Sequence, residues 1–359
     1  MTDRQQPGAE PAAQSPGATA GAIARGVRIF IIIAVAAAVV VIGLTASRDT
    51  LAGLARLKWY WLAATVGLWF AAAGLDGLRL AVLSRADEHP LTALQAFEVI
   101  YIGYFMAAVT PFQVGGLPLQ LYIMHRWGIS PGKASAMLLV RGVLFYGLLF
   151  AAAPFVAIRL GASTALLKVL AAYIAFIVAA GAVTVLAGLI FPARLIAWRD
   201  RLALAPRPGR VRRAVLWVLG EFESFTTGLR MYLRPANVGH LLLAALLTVA
   251  CMAALFSMSA TLLSGLGVPT DAPRAMGLNL LLCSVMLFVP TPGASGVAEA
   301  GAAGLYSMIC PKYMLGVYVV LWRLFSFYLG ALVGGLMTLR HLSVHRPARG
   351  TPDRNAPVE

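Results

Sequence analysis

Residues 29–44, 59–75, 165–191, 241–263 and 314–339 form runs of roughly 16–27 residues almost without charge, and about twenty such residues in a helix cross a ~30 Å hydrocarbon core. Composition agrees: 60% of the 359 residues are hydrophobic and 12% charged, with a mean hydropathy of +0.81. A soluble domain carries about a quarter charged residues. One globular core cannot hide this much apolar surface. The expected class is an all-α polytopic membrane protein.

Several functions drop out at once. Cys251, Cys283 and Cys310 all stand in apolar surroundings, with neither a disulfide framework nor a metal-ligand spacing. Five histidines include no HExxH, and His341 and His345, at i and i+4 past the last apolar run, have no third ligand in view. No metal or other cofactor is expected. Nor does a GxxxxGK[ST] occur, so the chain has no nucleotide-driven motor of its own. The net charge of +15 sits in short loops beside apolar runs, which the positive-inside rule explains without nucleic acid.

Residues 1–24, rich in Pro, Ala, Gly and Gln, read as a disordered cytoplasmic tail. The first span, 29–46, follows Arg25 and Arg28 and reads as an uncleaved anchor, with a signal peptide as the alternative. The transmembrane domain is expected over 25–340. Its first repeat covers about 59–191, an Arg-rich linker 192–238, and a second repeat about 239–340. Residues 341–359 form a second tail. Spans are expected at 59–78, 134–158, 165–191, 241–263 and 314–339, and broken stretches at 92–127 and 272–307. Placing the linker's nine Arg in the cytoplasm puts both termini there as well. The loop 47–58, with Arg48, Arg56 and Lys58, then lands outside against the rule.

The two broken stretches resemble each other. Thr110-Pro111-Phe112-Gln113-Val114-Gly115 and Thr291-Pro292-Gly293-Ala294-Ser295-Gly296 are both TPxxxG. Arg141…Phe145-Tyr146 and Arg323…Phe327-Tyr328 are both RxxxFY. Arg323 follows Arg141 at almost the same distance along the chain as Thr291 follows Thr110. The common register makes chance a poor account. By the loop parity, one broken unit opens from the cytoplasm and the other from outside. The expected architecture is about six full spans plus two broken or re-entrant helix pairs in an inverted-topology repeat, the arrangement that sets a transporter's substrate site near the midplane. Helix N-termini at the breaks would face anionic groups there. The competing reading is plain: the breaks are kinks, and each Arg snorkels to the interface.

A charged residue near the bilayer centre costs ~2.5–3.5 kcal/mol on insertion scales, so two matched arginines call for an anion. Protein candidates are Asp76, Glu98, Asp271 and Glu299. Glu299 reads as the partner of Arg323 or as a protonatable gate; Glu98 as a partner for Arg141; Asp76 with Arg79 as an interfacial salt bridge. Gln113, Gln120, Tyr101, Tyr104 and Tyr122 lie near the first break, alongside Gly116, while Tyr146 and Tyr328 stand out because they recur. In the linker, Val211, Val215, Val218, Phe222, Phe225, Leu229 and Tyr232 step by four and three, an amphipathic helix serving as a strap between repeats or lying in the membrane surface.

These features together resemble the flippase-like integral-membrane family related to the transmembrane region of lysylphosphatidylglycerol synthases. The carriers are Pro290-Thr291-Pro292-Gly293-Ala294-Ser295-Gly296-Val297-Ala298-Glu299 with Arg323, and Thr110-Pro111, Gly115-Gly116, Gly128-Ile129-Ser130, Ala134 and Arg141, within residues 28–340. Val140 and Ala294-Ser295 depart from the family pattern. The resemblance implies a bacterial inner-membrane protein that moves or binds lipids, with Glu299 and the two arginines among its functional positions. The expected function is a translocase for an anionic, phosphate-bearing lipid, with a lipid-modifying enzyme as a candidate partner. An intramembrane enzyme is the alternative, though Glu299, scattered Ser and isolated His89, His125 and His240 form no catalytic constellation. An accessory lipid-binding role is the third. With only a short tail after the last span, aminoacyl transfer by this chain is not expected.

Overall fold

The apolar runs are helices wherever the structure, a computed structural model, describes them: residues 57–110, 115–161, 210–286, 289 and 291–343, with isolated helical positions between 172 and 183. The first span, most of 165–191, residues 192–209 and both tails beyond these limits lie outside the described residues. Among the described residues there is no strand.

Helix α1 spans Trp59–Ser84, α2 Ala93–Val109, α3 Gly116–Arg126 and α4 Pro131–Arg159. Then follow α5 Arg210–Tyr232, α6 Val238–Gly265, α7 Ala272–Met286 and α8 Val297–Tyr306. Finally α9, Lys312–Arg323, passes through a π-helical turn, Leu324–Tyr328, into α10, Leu329–Ser343. Local chemistry sets the boundaries. The Thr92 hydroxyl accepts the Gln95 N–H while the Gln95 side chain accepts the Thr92 N–H, a reciprocal cap that starts α2. Ser130 caps α4, with Pro131 in the first turn where a missing N–H costs nothing. Among the described residues, four stretches are long and apolar enough to cross a membrane: Trp59–Ser84, Pro131–Arg159, Pro235–Gly265 and Lys312–His341.

Helix order repeats along the chain. A long helix, two short ones and a long one appear as α1–α2–α3–α4 and again as α6–α7–α8–α9/α10. Val238 and Ala272 follow Trp59 and Ala93 by one common interval, and Val297 and Lys312 follow Gly116 and Pro131 by another that is only slightly longer. Packing repeats too. Helix α1 lies along α6, α1 packs on α2 as α6 packs on α7, and α2 on α3 as α7 on α8. The long final helices are exchanged: α10 lies on α2 and α4 on α7. Reciprocal contacts of this kind are what a two-fold relation produces. The α2–α10 joint is tight enough to demand glycine, since a Cβ on Gly334 would overlap the Tyr101 carbonyl. A continuous core joins both halves through Leu80, Ile100, Met124, Met137, Leu262, Leu278, Ala302 and Trp322.

Helix α5 packs along α4. Its Glu221 Oε2 accepts the Gly132 N–H at 2.7 Å, satisfying one of the donors that the first turn of α4 leaves free. At its other end the Tyr232 hydroxyl donates to the Leu83 carbonyl at 3.0 Å. The C-terminal part of the linker helix is therefore held against protein, with Leu229, Met231 and Tyr232 buried.

Candidate functional site

Asp76 is the one acidic residue of α1, and it is buried. An unpaired carboxylate there would be costly, and it is amply paired. Arg79, one turn on, gives Nη2 to Oδ1 at 2.5 Å and Nη1 to Thr248 Oγ1 of α6 at 3.3 Å. From α4, Arg141 Nη2 reaches Oδ1 at 2.8 Å and Oδ2 at 2.7 Å. The Tyr104 hydroxyl of α2 donates to Oδ2, and Arg141 Nη2 lies 3.2 Å from that hydroxyl. One carboxylate thus serves two guanidiniums, a net charge of one positive. The Nε atoms of both arginines are buried with no hydrogen-bond partner.

The second cluster sits at the second break. Thr291 Oγ1 donates to the Ser295 carbonyl at 2.9 Å and so braces the turn Pro292–Ala294. Gly293 takes φ +59° there, and a Cβ on it would strike the Phe327 ring. Its carbonyl accepts Arg323 Nη2. Arg323 Nε donates to Glu299 Oε1 at 2.9 Å, while Glu299 Oε2 accepts the Gly296 N–H at 2.7 Å, capping α8. The Arg323 guanidinium lies 4.1 Å from the Phe327 ring centroid, and the Tyr328 hydroxyl is 3.4 Å from Glu299 Oε1. This unit is neutral and closed: the Arg323 side chain is 1% exposed against 15% for Arg141.

Between the halves lies a cavity of about 230 Å³. Asp76, Tyr104 and Phe145 wall it from the first half; Cys251, Ser326 and Phe327 from the second. The two phenylalanines of the repeated RxxxFY therefore face one space. Each also takes a guanidinium, Phe327 that of Arg323 and Phe145 that of Arg79, whose Cζ is 5.6 Å from the ring centroid. The π-helical turn supplies Phe325, Ser326 and Phe327 to this wall, a place where such turns gather at functional sites.

The family model for the lysylphosphatidylglycerol synthase TM region matches residues 31–334, a span that contains both clusters and the cavity. The chain belongs to this family. A UPF0104 membrane protein of Archaeoglobus fulgidus is 26% identical over 323 residues, covering 86% of this chain and 94% of the relative. Family and apolar helices together make this a multi-pass membrane protein.

Against the expectations from sequence, Arg323, Glu299, Gly293, Gly296, Thr291, Pro292 and Tyr328 converge on the second cluster. At the first break the Thr110 hydroxyl accepts the Gly115 N–H at 3.0 Å, and Gly116 lets α3 approach the Gly103 carbonyl. Pro111 and Gln113 lie outside the described residues, as does Pro290. Tyr146 stacks on Phe150, centroids 6.1 Å apart, so it does not repeat the role of Tyr328 at a carboxylate. Gln120 braces α3 on α2 through the Val99 carbonyl at 3.1 Å.

One pairing needs correction. Glu98 does not hold Arg141: its Oε2 lies 3.1 Å from His341 Nε2 and its Oε1 3.9 Å from Arg340, both at the end of α10. Tyr104, level with Arg141, is six residues or about 9 Å farther along α2 than Glu98. The expected Asp76–Arg79 pair does form, and both side chains are buried. Asp76, Arg79 and Tyr104 were named from sequence without being joined to Arg141, and Thr248 is the cluster residue that sequence reasoning passed over. The available signal was Asp76 itself, the single acid in a 26-residue apolar helix.

Proposed function

We propose that this protein is a lipid translocase that moves an anionic, phosphate-bearing lipid across the bacterial inner membrane, its headgroup entering the cavity between the halves. The observation that carries this reading is the unbalanced positive charge of Asp76, Arg79 and Arg141 beside that cavity. A buried second guanidinium without a second carboxylate is costly, and a ligand anion offsets that cost. The guanidinium fork suits phosphate oxygens. Membership of a family named for a lipid synthase's membrane region supports a lipid substrate.

The cavity volume of about 230 Å³ suits a headgroup and leaves the acyl chains in the bilayer. The reciprocal packing of the halves supports an axis in the membrane plane, with the two repeats inverted and access alternating as one moves against the other. Both termini then face the cytoplasm, and a lipid-modifying enzyme supplies the substrate.

The test is translocation in vesicles. Full-length protein is reconstituted with fluorescent phosphatidylglycerol, and transfer between leaflets is read with a membrane-impermeant quencher. Arg141→Ala is expected to fall to the protein-free background while inserting in normal amount. Transfer by Arg141→Ala at the wild-type rate would end this reading.

A further inference from the structure

The hydrogen bonding within the first cluster is uneven, and the unevenness says what the site takes. Arg79 uses both terminal nitrogens, one on Asp76 and one on Thr248, and is 2% exposed. Arg141 makes its bonds to Asp76 and Tyr104 through Nη2 alone. Its Nε, like that of Arg79, has no acceptor, but its side chain is the more exposed of the two. Arg79 is also tied to Asp76 within one helix turn, whereas Arg141 reaches across from α4. Of the two arginines, Arg141 is therefore the one that can exchange Asp76 for another anion with little rearrangement. An Nε and an Nη on one edge of a guanidinium match two oxygens of a phosphate.

Charge then selects the anion. Asp76 is the one formally charged side chain in the cavity wall among the described residues, and with Arg79 and Arg141 it carries one net positive charge. A phosphodiester, with one negative charge, brings the cluster to neutrality. A phosphate monoester carries about −1.5 to −2 at pH 7 and would leave negative charge stranded against Phe145, Phe327 and Trp69. We infer that the site takes a singly charged phosphodiester headgroup, and that Asp76 yields Arg141 to it while keeping Arg79 and Tyr104. Asp76 is thus a positioning residue and a resident counter-ion. This rests on the headgroup reading of the cavity given above.

The experiment is lipid competition on the full-length protein, read by native mass spectrometry with equal phosphatidylglycerol, phosphatidic acid and phosphatidylcholine. Wild type is expected to retain phosphatidylglycerol over phosphatidic acid by roughly tenfold. Asp76→Asn adds one positive charge to the site and is expected to shift that ratio about tenfold toward phosphatidic acid, while Asp76→Glu keeps the wild-type ratio. A ratio is read only from molecules that hold lipid, so partial loss of folded protein does not imitate the shift. Wild type without a phosphatidylglycerol preference overturns the inference whether or not a variant folds. So does an unchanged ratio in Asp76→Asn. Arg141→Ala separates the two layers: its retaining lipid as wild type does sinks the headgroup reading itself. Loss of retention in Arg141→Ala, with wild type preferring phosphatidic acid, sinks the charge assignment alone.

Discussion

The two arginines of the repeated segment end in opposite circumstances. Arg323 is spent on the protein: it ties the break carbonyl of Gly293 to Glu299, which in turn caps the helix leaving the break. Arg141 instead shares a carboxylate on α1 with Arg79. The divergence follows from where each half keeps its acid. In the register that lays Thr110 on Thr291, the position matching Glu299 is Pro118, and the position matching Asp76 is Ser257. One half thus seals its break with a neutral pair. The other holds one acid for two bases at the edge of a cavity. Similar helix orders thus carry different electrostatics, a closed neutral pair at one break and a positively charged cluster beside the cavity.

The largest expected effect tests the sealed side. Arg323→Ala strands Glu299 in an apolar interior and removes the tie to Gly293, so a stability loss of about 3–5 kcal/mol is expected, seen as a large fall in the melting temperature of detergent-purified protein. Arg141→Ala leaves Asp76 with Arg79 and Tyr104 and is expected to lower that temperature by less than half as much. Equal losses in the two variants would break the contrast between the clusters.

Next in size is Gly293→Ala. The residue stands at φ +59°, and its added methyl would meet the Phe327 ring that supports Arg323. A cost of about 1–3 kcal/mol in the same thermal assay is expected from backbone strain alone. A variant as stable as wild type would show that the second break yields easily and that Arg323 does not fix it.

Much of this was legible in the sequence because it depends on local pattern. Apolar runs marked α1, α4, α6 and the α9–α10 unit, and TPxxxG marked where α2 and α7 stop. The Glu299–Arg323 pair was within reach because both residues follow one break, 24 positions apart. The partner of Arg141 was not, because Asp76 lies 65 positions upstream on a helix outside the repeated motif. Nearest-acid reasoning chose Glu98, whose neighbour His341 stands 243 positions away at the end of α10. Nor does any motif announce the π-helical turn: Leu324–Tyr328 reads as ordinary apolar helix, and only packing reveals the extra residue that turns Phe325–Phe327 toward the cavity.

Glu98 also supplies the smallest effect, at the joint where the second half's last helix lies on the first half. Its contacts are partly open to solvent, with His341 28% and Arg340 76% exposed. Ion pairs in that setting are worth about 0–1 kcal/mol. The joint has a stronger holder in the backbone approach of Gly334 to Tyr101, which needs no charge. Glu98→Gln is therefore expected to shift the melting temperature little and to leave the translocation rate in vesicles near wild type. A loss comparable to that of Arg323→Ala would mean that charge rather than close packing couples α2 to α10. The first half would then depend on a closed ion pair of its own, and the contrast between a half sealed by a neutral pair and a half left with a charged cluster would no longer hold.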